Sequence, residues 1–285
     1  MPSLNVVEFL DQDEEPFIEV DPSGRYGRYE GLLGEGGQKK VYRAFDQREG
    51  IEVAWNQVNL HKFIDNKVIL DQIKTEVKVL GSLKHENILT FYHSWIDVPK
   101  KRLNFITEVF FSGSLSSYTK KHRRVSKRGV KKWCRQILRG VEYLHTHNPC
   151  IIHADLKLKI GDFGMSKIVG VDHVAHLVSG GTQEFMAPEM YDGTYTETVD
   201  IYAFGMCLME MVTGELPYME CKGRVQIFEK VSSGVKPHSL EKVKDPEIKA
   251  FILKCLGKPG DRPSATELLQ NSFFAGLDGD DDDKA

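Results

Sequence analysis

Short alternating runs of β type fill two stretches near the start of the chain, within residues 26–60 and 88–110. They read Val41-Tyr42-Arg43-Ala44-Phe45, Val53-Ala54-Trp55-Asn56-Gln57-Val58 and Leu103-Asn104-Phe105-Ile106-Thr107. A helical pattern lies between them, with Ile69, Ile73, Val77 and Leu80 spaced four, four and three apart. From about residue 113 the texture turns helical. Trp133, Ile137, Val141 and Leu144 form one face of a long helix, and Val199 to Val212 is apolar nearly all round, the pattern of a buried helix. Asp245 followed by Pro246 is an N-cap with a first-turn proline, leading into Ile248, Phe251, Ile252, Cys255 and Leu256. Ser264 and Glu267 have capping-box spacing ahead of Leu268-Leu269. The order predicts a small strand-rich lobe with one helix, then a larger helical lobe. The cleft between such lobes is where ligands usually bind.

Composition narrows the classes without naming one. The chain has 285 residues, and 38 basic against 41 acidic side chains give a formal charge of −3. A hydrophobic fraction of 41% with 28% charged residues excludes wholesale disorder. No apolar run approaches the roughly 18 residues of a membrane span, and Met1-Pro2-Ser3-Leu4-Asn5 lacks an export pattern. The near-neutral balance argues against nucleic acid as the main partner. Five cysteines (Cys134, Cys150, Cys207, Cys221 and Cys255) are scattered without metal-ligand spacing, as expected of reduced thiols in a cytoplasmic protein. Residues 1–24 are acidic and turn-rich and are expected to be a flexible leader, and residues 276–285 an acidic tail. The run Asp280-Asp281-Asp282-Asp283-Lys284 should stay solvated and also matches a protease tag site.

The candidate chemistry begins at Gly34-Glu35-Gly36-Gly37-Gln38-Lys39, between two strand patterns. A glycine-rich hairpin turn would account for these residues alone. Side chains alternate along a strand, however, so Lys39 and Val41 share a face. In a phosphate-covering loop of the form G-x-G-x-x-G-x-V that valine lies against the adenine. Lys39 stands in the third glycine's place, so its ammonium should point into the same cleft. On the next strand Ala54 and Asn56 share a face, and the V-A-I-K pattern reads Val53-Ala54-Trp55-Asn56 here. Transferred phosphoryl groups need a fixed cation. The lysine absent from one strand reappears on its neighbour. Lys40, one residue on, should face the other way as a surface lysine.

By these residues the chain resembles the with-no-lysine (WNK) serine/threonine protein kinases, in their plant-type branch, from about Gly27 to Phe274. The resemblance implies an α+β, two-lobed protein-kinase fold, with a small antiparallel N-lobe at 25–110 and a mainly helical C-lobe at 111–275. It implies ATP bound by Gly34, Gly36, Gly37, Lys39, Val41 and Ala54. Glu76 matches the helix glutamate that pairs with the lysine, and Thr107, Glu108, Val109 and Phe110 match the gatekeeper and hinge. His153-Ala154-Asp155-Leu156-Lys157 matches H-R-D-L-K, and Asp162-Phe163-Gly164 matches D-F-G. Asp155 would accept the substrate hydroxyl's proton, Lys157 would steady the phosphoryl group, and Asp162 would hold Mg²⁺. Asp200 would hold the backbone of the catalytic loop. Gly181 to Glu189 matches G-T-P-E-F-M-A-P-E with Gln183 for proline. Glu189 and Arg262 match a buried pair that staples this segment to the late helices. The activation segment from Asp162 to Glu189 favours polypeptide over small-molecule substrates.

Several departures bear on activity. Ala154 replaces the arginine that answers a phosphorylated activation segment, and Phe163 stands where chloride-binding relatives have leucine. Asp155 and Asp162 are seven positions apart, where kinases have roughly eighteen with an asparagine inside. No asparagine lies between them here. If Leu158-Lys159-Ile160 is the returning arm of the usual hairpin, it must start about 10 Å away, which Lys157 in the catalytic loop does not allow. A skipped exon or a faulty gene prediction would leave the same gap. The expected activity is ATP-dependent phosphorylation of Ser/Thr on proteins, other kinases among them, with turnover impaired. The competing class is a pseudokinase scaffold that binds nucleotide or partner proteins.

Overall fold

A computed structural model of the chain describes residues 15–35, 39–61, 65–67, 71, 74, 77–79, 81–109, 125–154, 156, 167–168, 183–193 and 195–277. Six strands form one antiparallel sheet: β1 (Glu19–Val20), β2 (Tyr26–Glu35), β3 (Lys39–Asp46), β4 (Ile51–Asn59), β5 (Phe91–Asp97) and β6 (Arg102–Glu108). Their order is β1-β2-β3-β4-β6-β5. Tyr42 faces Trp55 and Trp55 faces Ile106 across the ladders, while Val41 faces Asn56 and Asn56 faces Phe105. Pleating therefore sorts these residues onto opposite sides. One side buries Tyr26, Ala44, Val53, Trp55 and Ile106, with Trp55 edge-on to Trp95 at 4.7 Å. The indole of Trp55 donates to Asn104 Oδ1 at 3.1 Å, which satisfies its one polar atom inside this cluster.

The other side looks towards the second lobe. Phe105 stacks on Phe91 with ring centroids 5.8 Å apart, and Phe91 packs on a cluster of Leu83, Ile88, Leu144 and Ile151. Leu144 and Ile151 come from the helical half, so this small core joins the two lobes behind the cleft. Of the helix expected around Ile69 to Leu80, residues 67, 71, 74 and 77–79 are helical, with Val77 buried; Ile69, Ile73 and Leu80 lie outside the described residues.

The leader expected to run to residue 24 instead contributes structure from residue 15 onward. Val20 pairs with Gly27 and Glu19 with Arg28. The Glu19 carboxylate accepts from Arg28 Nε at 3.1 Å, Gln57 Nε2 at 3.1 Å and Lys100 Nζ at 2.5 Å. Asp21 closes the following turn, accepting from the Tyr26 amide at 2.7 Å. Phe17 lies so close to Gly27 that any Cβ there would come within 2.4 Å of its ring. The acidic side chains Glu19 and Asp21 of this stretch are taken up by specific donors on the sheet and its adjoining turn.

In the second half, α1 (Lys127–Thr146) starts at Ser126, whose side chain accepts from the Gly129 amide. Its buried stripe is Val130, Cys134, Leu138, Val141 and Leu144. Trp133 and Ile137, expected on the same face as Val141, sit at its margin, partly buried. The short strands β7 (Ile151–Ile152) and β8 (Lys167–Ile168) pair antiparallel. The helix α2 (Thr198–Thr213) is buried nearly throughout, as its apolar run predicts, and stops at Gly214 in the left-handed region. Around it lie α3 (Arg224–Ser232), α4 (Pro246–Cys255) and α5 (Ala265–Leu269). Asp245 caps α4 through the amides of Glu247 and Ile248, and the Ser264/Glu267 capping box is formed. No helix among the described residues is long and apolar enough to cross a membrane.

Asp46, at the end of β3, is tied to Arg25 Nε at 2.8 Å and Nη2 at 2.5 Å, and to the amides of Arg48 and Glu49. The Arg25 guanidinium and these amides hold its carboxyl below the usual carboxylate range, against the opposing effect of burial. A group whose folded pKa is depressed stabilises fully above its unfolded value, near pH 3.9, and loses that contribution as pH falls through the folded value. Asp46→Asn is therefore expected to lower the melting temperature by a few degrees at pH 7. The gap to the parent should close below about pH 4, which a pH series of thermal melts checks.

Candidate active site

The cleft face of the sheet carries most of the expected nucleotide contacts that fall within the described residues. Gly34 pairs with Val41, Val41 with Asn56, and Ala54 with Thr107. A Cβ at Gly34 would meet nothing within 4 Å. Among the described residues, the space beside Gly34 is therefore open. Lys39, on the Val41 side of its strand, carries its ammonium to 5.4 Å from the centroid of the Phe105 ring. Phe105 lies on β6, two strands away, so the lysine stem crosses the cleft face of β4 instead of turning outwards. Lys40 is exposed and pairs with Glu35 at 3.0 Å, as alternation predicts.

Asn56, in the place of the usual lysine, is only 3% exposed. Its Nδ2 lies 3.3 Å from Ala54 O, 3.4 Å from Phe105 O and 3.2 Å from Thr107 Oγ1. Carbonyl oxygens only accept, so the amide nitrogen must face the sheet, and the Thr107 hydroxyl accepts from it. The position is neutral and folded onto its own strand. Glu108 spends its amide on Thr90 O at 3.0 Å, and its carboxylate accepts from the Thr90 amide at 2.9 Å. Val109 is partly buried beside it.

The start of the expected catalytic loop, at His153 and Ala154, rests on one buried carboxylate. Asp200, fully buried in the first turn of α2, accepts from the amides of His153 and Ala154, each at 2.7 Å. His145 Nε2 lies 3.0 Å from the same carboxylate. Ala154 has φ 55°, the left-handed region that costs an alanine about 1–2 kcal/mol. Two charge-assisted hydrogen bonds offset that strain. On the other side of Asp155, Leu156 is buried and its carbonyl accepts from Cys207 Sγ at 3.5 Å. Both neighbours of Asp155 are thus anchored to the helical core.

Arg262, buried, makes a two-pronged ion pair with Glu189, with Nη2 2.9 Å from Oε2, and donates to Gly257 O and Thr198 O. The expected staple is present. Glu76, Asp155, Lys157, Asp162, Gly36, Gly37 and Phe110 lie outside the described residues, as do Phe163 and Thr182. Among the described residues no cluster of carboxylates, histidines and cysteines could hold a metal ion. Three contributors escaped sequence reasoning: the Phe105 ring, the Asn56–Thr107 bond and His145. Alternation already put Phe105 on the face of Thr107. Nothing local signalled that His145 would meet a carboxylate 55 positions away.

Comparison with known proteins agrees with this geometry. Residues 28–274 match the protein kinase domain family. The chain is 54% identical over 280 residues to "Probable serine/threonine-protein kinase WNK5" of Oryza sativa subsp. japonica, covering 94% of this chain and 85% of that protein. It is 48% identical to "Probable serine/threonine-protein kinase WNK10" and to "Serine/threonine-protein kinase WNK8" of Arabidopsis thaliana, over 92% of this chain. It spans about half of those two, 52% and 48%. Among solved structures, Rad53 1-466 in complex with AMP-PNP superposes with a TM-score of 0.71 at 23% identity, over 88% of this chain and 66% of that one. That likeness speaks for the fold alone.

Removing the Asp200 carboxylate leaves two buried amides without their acceptor. Asp200→Ala is expected to destabilise the fold by about 3 kcal/mol and to speed hydrogen exchange at the amides of His153 and Ala154. Chemical denaturation and exchange measured by NMR check the two parts separately.

Proposed function

Because the chain belongs to the protein kinase family, and within it to the plant-type WNK serine/threonine kinases, we propose that it binds ATP with Lys39 as the phosphate-holding cation. On this reading the γ-phosphoryl group passes to serine or threonine hydroxyls of protein substrates. The observation that carries the reading is the exchange of roles between neighbouring strands. The ammonium of Lys39 stands over the cleft face at Phe105, while Asn56 is neutral, buried and committed to the sheet. Gly34 leaves room for phosphates, Val41 and Ala54 offer apolar contact to the adenine, and the Glu108 carbonyl is free of the strand-end pair with Thr90 that occupies its amide.

The remaining roles follow the family motifs. Asp155, by the family motif, would orient the substrate hydroxyl and take its proton, and its neighbours Ala154 and Leu156 are the anchored residues. Lys157 would steady the transferred group, and Glu76 would pair with Lys39. Mg²⁺, which in this family neutralises charge on the phosphates, would be held by Asp162.

A specific feature favours slow turnover. Seven positions separate Asp155 from Asp162, and the asparagine that shares the metal in kinases has no counterpart among them. We therefore read the chain as a nucleotide binder with impaired phosphoryl transfer, and a pure scaffold is the limit of that trend.

Two measurements test these claims. Lys39→Met should weaken ATP by about tenfold or more while leaving adenosine binding unchanged, because on this reading the ammonium meets the nucleotide only at its phosphates. Equal ATP affinity in parent and variant would refute the assignment. Inserting an asparagine-containing hairpin between Asp155 and Asp162 should raise phosphorylation of a generic protein substrate. Robust turnover by the parent chain, unimproved by the insertion, would contradict the impairment.

A further inference from the structure

We propose that Phe105 is the positioning residue for the relocated lysine, its ring forming the floor that holds the Lys39 ammonium in line with a nucleotide's phosphates. This rests on Lys39 being the phosphate-binding cation and adds what keeps that cation in place.

Moving the lysine one strand over creates a geometric problem. Lys39 lies opposite Val58, and Val58 opposite Leu103, so its stem starts a full strand further from the centre of the cleft than a lysine at position 56 would. Adjacent strands are about 4.8 Å apart, and a four-carbon stem that must bridge this extra distance loses conformational freedom. A rigid surface beneath its end, in addition to any carboxylate that pairs with it, limits that freedom to the productive positions. Phe105 faces Asn56 in the ladder, two strands from Lys39, and its ring lies 5.4 Å from the ammonium. That is within the reach at which a cation is attracted to the negative face of an aromatic ring.

The ring is also fixed. Phe105 is 2% exposed and stacks almost parallel on Phe91, with an interplanar angle of 10°. Phe91 in turn packs on Leu83, Ile88, Leu144 and Ile151, the small core that joins the lobes. A ring held on one side by that core presents its other surroundings to the cleft in a constant orientation. Asn56 completes the arrangement by being short and neutral. Its amide is drawn onto the sheet by Phe105 O and Thr107 Oγ1, so position 56 brings no second ammonium to the ring. The substitution that removes the usual lysine and the phenylalanine opposite it thus act together.

The test compares ATP with adenosine, since a floor for the ammonium bears only on the phosphates. Phe105→Leu should weaken ATP roughly three- to tenfold and leave adenosine unchanged, and Phe105→Tyr should restore ATP affinity. In the Lys39→Met background, Phe105→Leu should have no further effect on ATP. A series of progressively fluorinated phenylalanines at position 105 keeps the shape and drains the ring face of negative charge, so it covers the case in which the leucine variant folds poorly. ATP affinity should fall stepwise along that series at constant melting temperature. Undiminished ATP affinity across the fluorinated series would overturn the proposal, as would an equal loss of ATP from Phe105→Leu with and without Lys39. If Lys39→Met itself leaves the ATP-to-adenosine ratio untouched, it is the lysine assignment that fails.

Discussion

A cation serves a phosphate only if its stem starts on the side of the sheet that looks into the cleft, and strand pleating gives that side to alternate residues. The arrangement of the proposed nucleotide end of this protein follows from that constraint. Lys39 and Val41 share the cleft side of β3, Ala54 and Asn56 that of β4, and Phe105 and Thr107 that of β6. A one-residue slip of β3 would bring Lys40 inward and send Lys39 to solvent. The register is held against such a slip by the outer face, where Tyr42, Trp55 and Ile106 interlock and Trp55 bonds to Asn104. The packing of one face therefore decides the chemistry of the other.

The catalytic end is organised by burial of a different kind. Asp200 is an ionisable side chain deep in an apolar helix, and its three neighbours repay the desolvation: two backbone amides and His145. The amides belong to a left-handed alanine and the residue before it. Strain in the loop and charge in the core thus stabilise one another. The Glu189–Arg262 pair does a similar service for the segment that follows, tying it to Gly257 and to the start of α2. Shortening the stretch between Asp155 and Asp162 leaves these anchors standing, since each depends on residues outside it.

Most of the architecture was legible in the chain because its signals are local. Alternation marked β3, β4 and β6, the apolar run marked α2, and Asp245-Pro246 and Ser264/Glu267 marked two helix starts that form with the capping bonds expected. The orientation of Lys39 was legible for the same reason, since it needs only the period of a strand. What escaped depends on partners distant in sequence. Residues 15–24 read as an acidic leader until Glu19 is seen among Arg28, Gln57 and Lys100, three residues from three different parts of the chain. On α1 the periodicity identified a helix but placed Trp133 and Ile137 inside its buried stripe. The stripe runs instead through Val130, Cys134 and Leu138, because the neighbouring helices select which side is covered. Asn56 read as a missing lysine; that it would bond to the gatekeeper depends on a ladder between strands some fifty positions apart.

The central claim is that the amine from β3 occupies the phosphate site that β4 has vacated. A crystal structure of this protein with a non-hydrolysable ATP analogue measures that directly. The account predicts Lys39 Nζ within ion-pair distance of a phosphate oxygen, with the Phe105 ring beneath it and the Asn56 amide still on Thr107. A phosphate chain held by some other cation, with the Lys39 amine turned to bulk water, would contradict it.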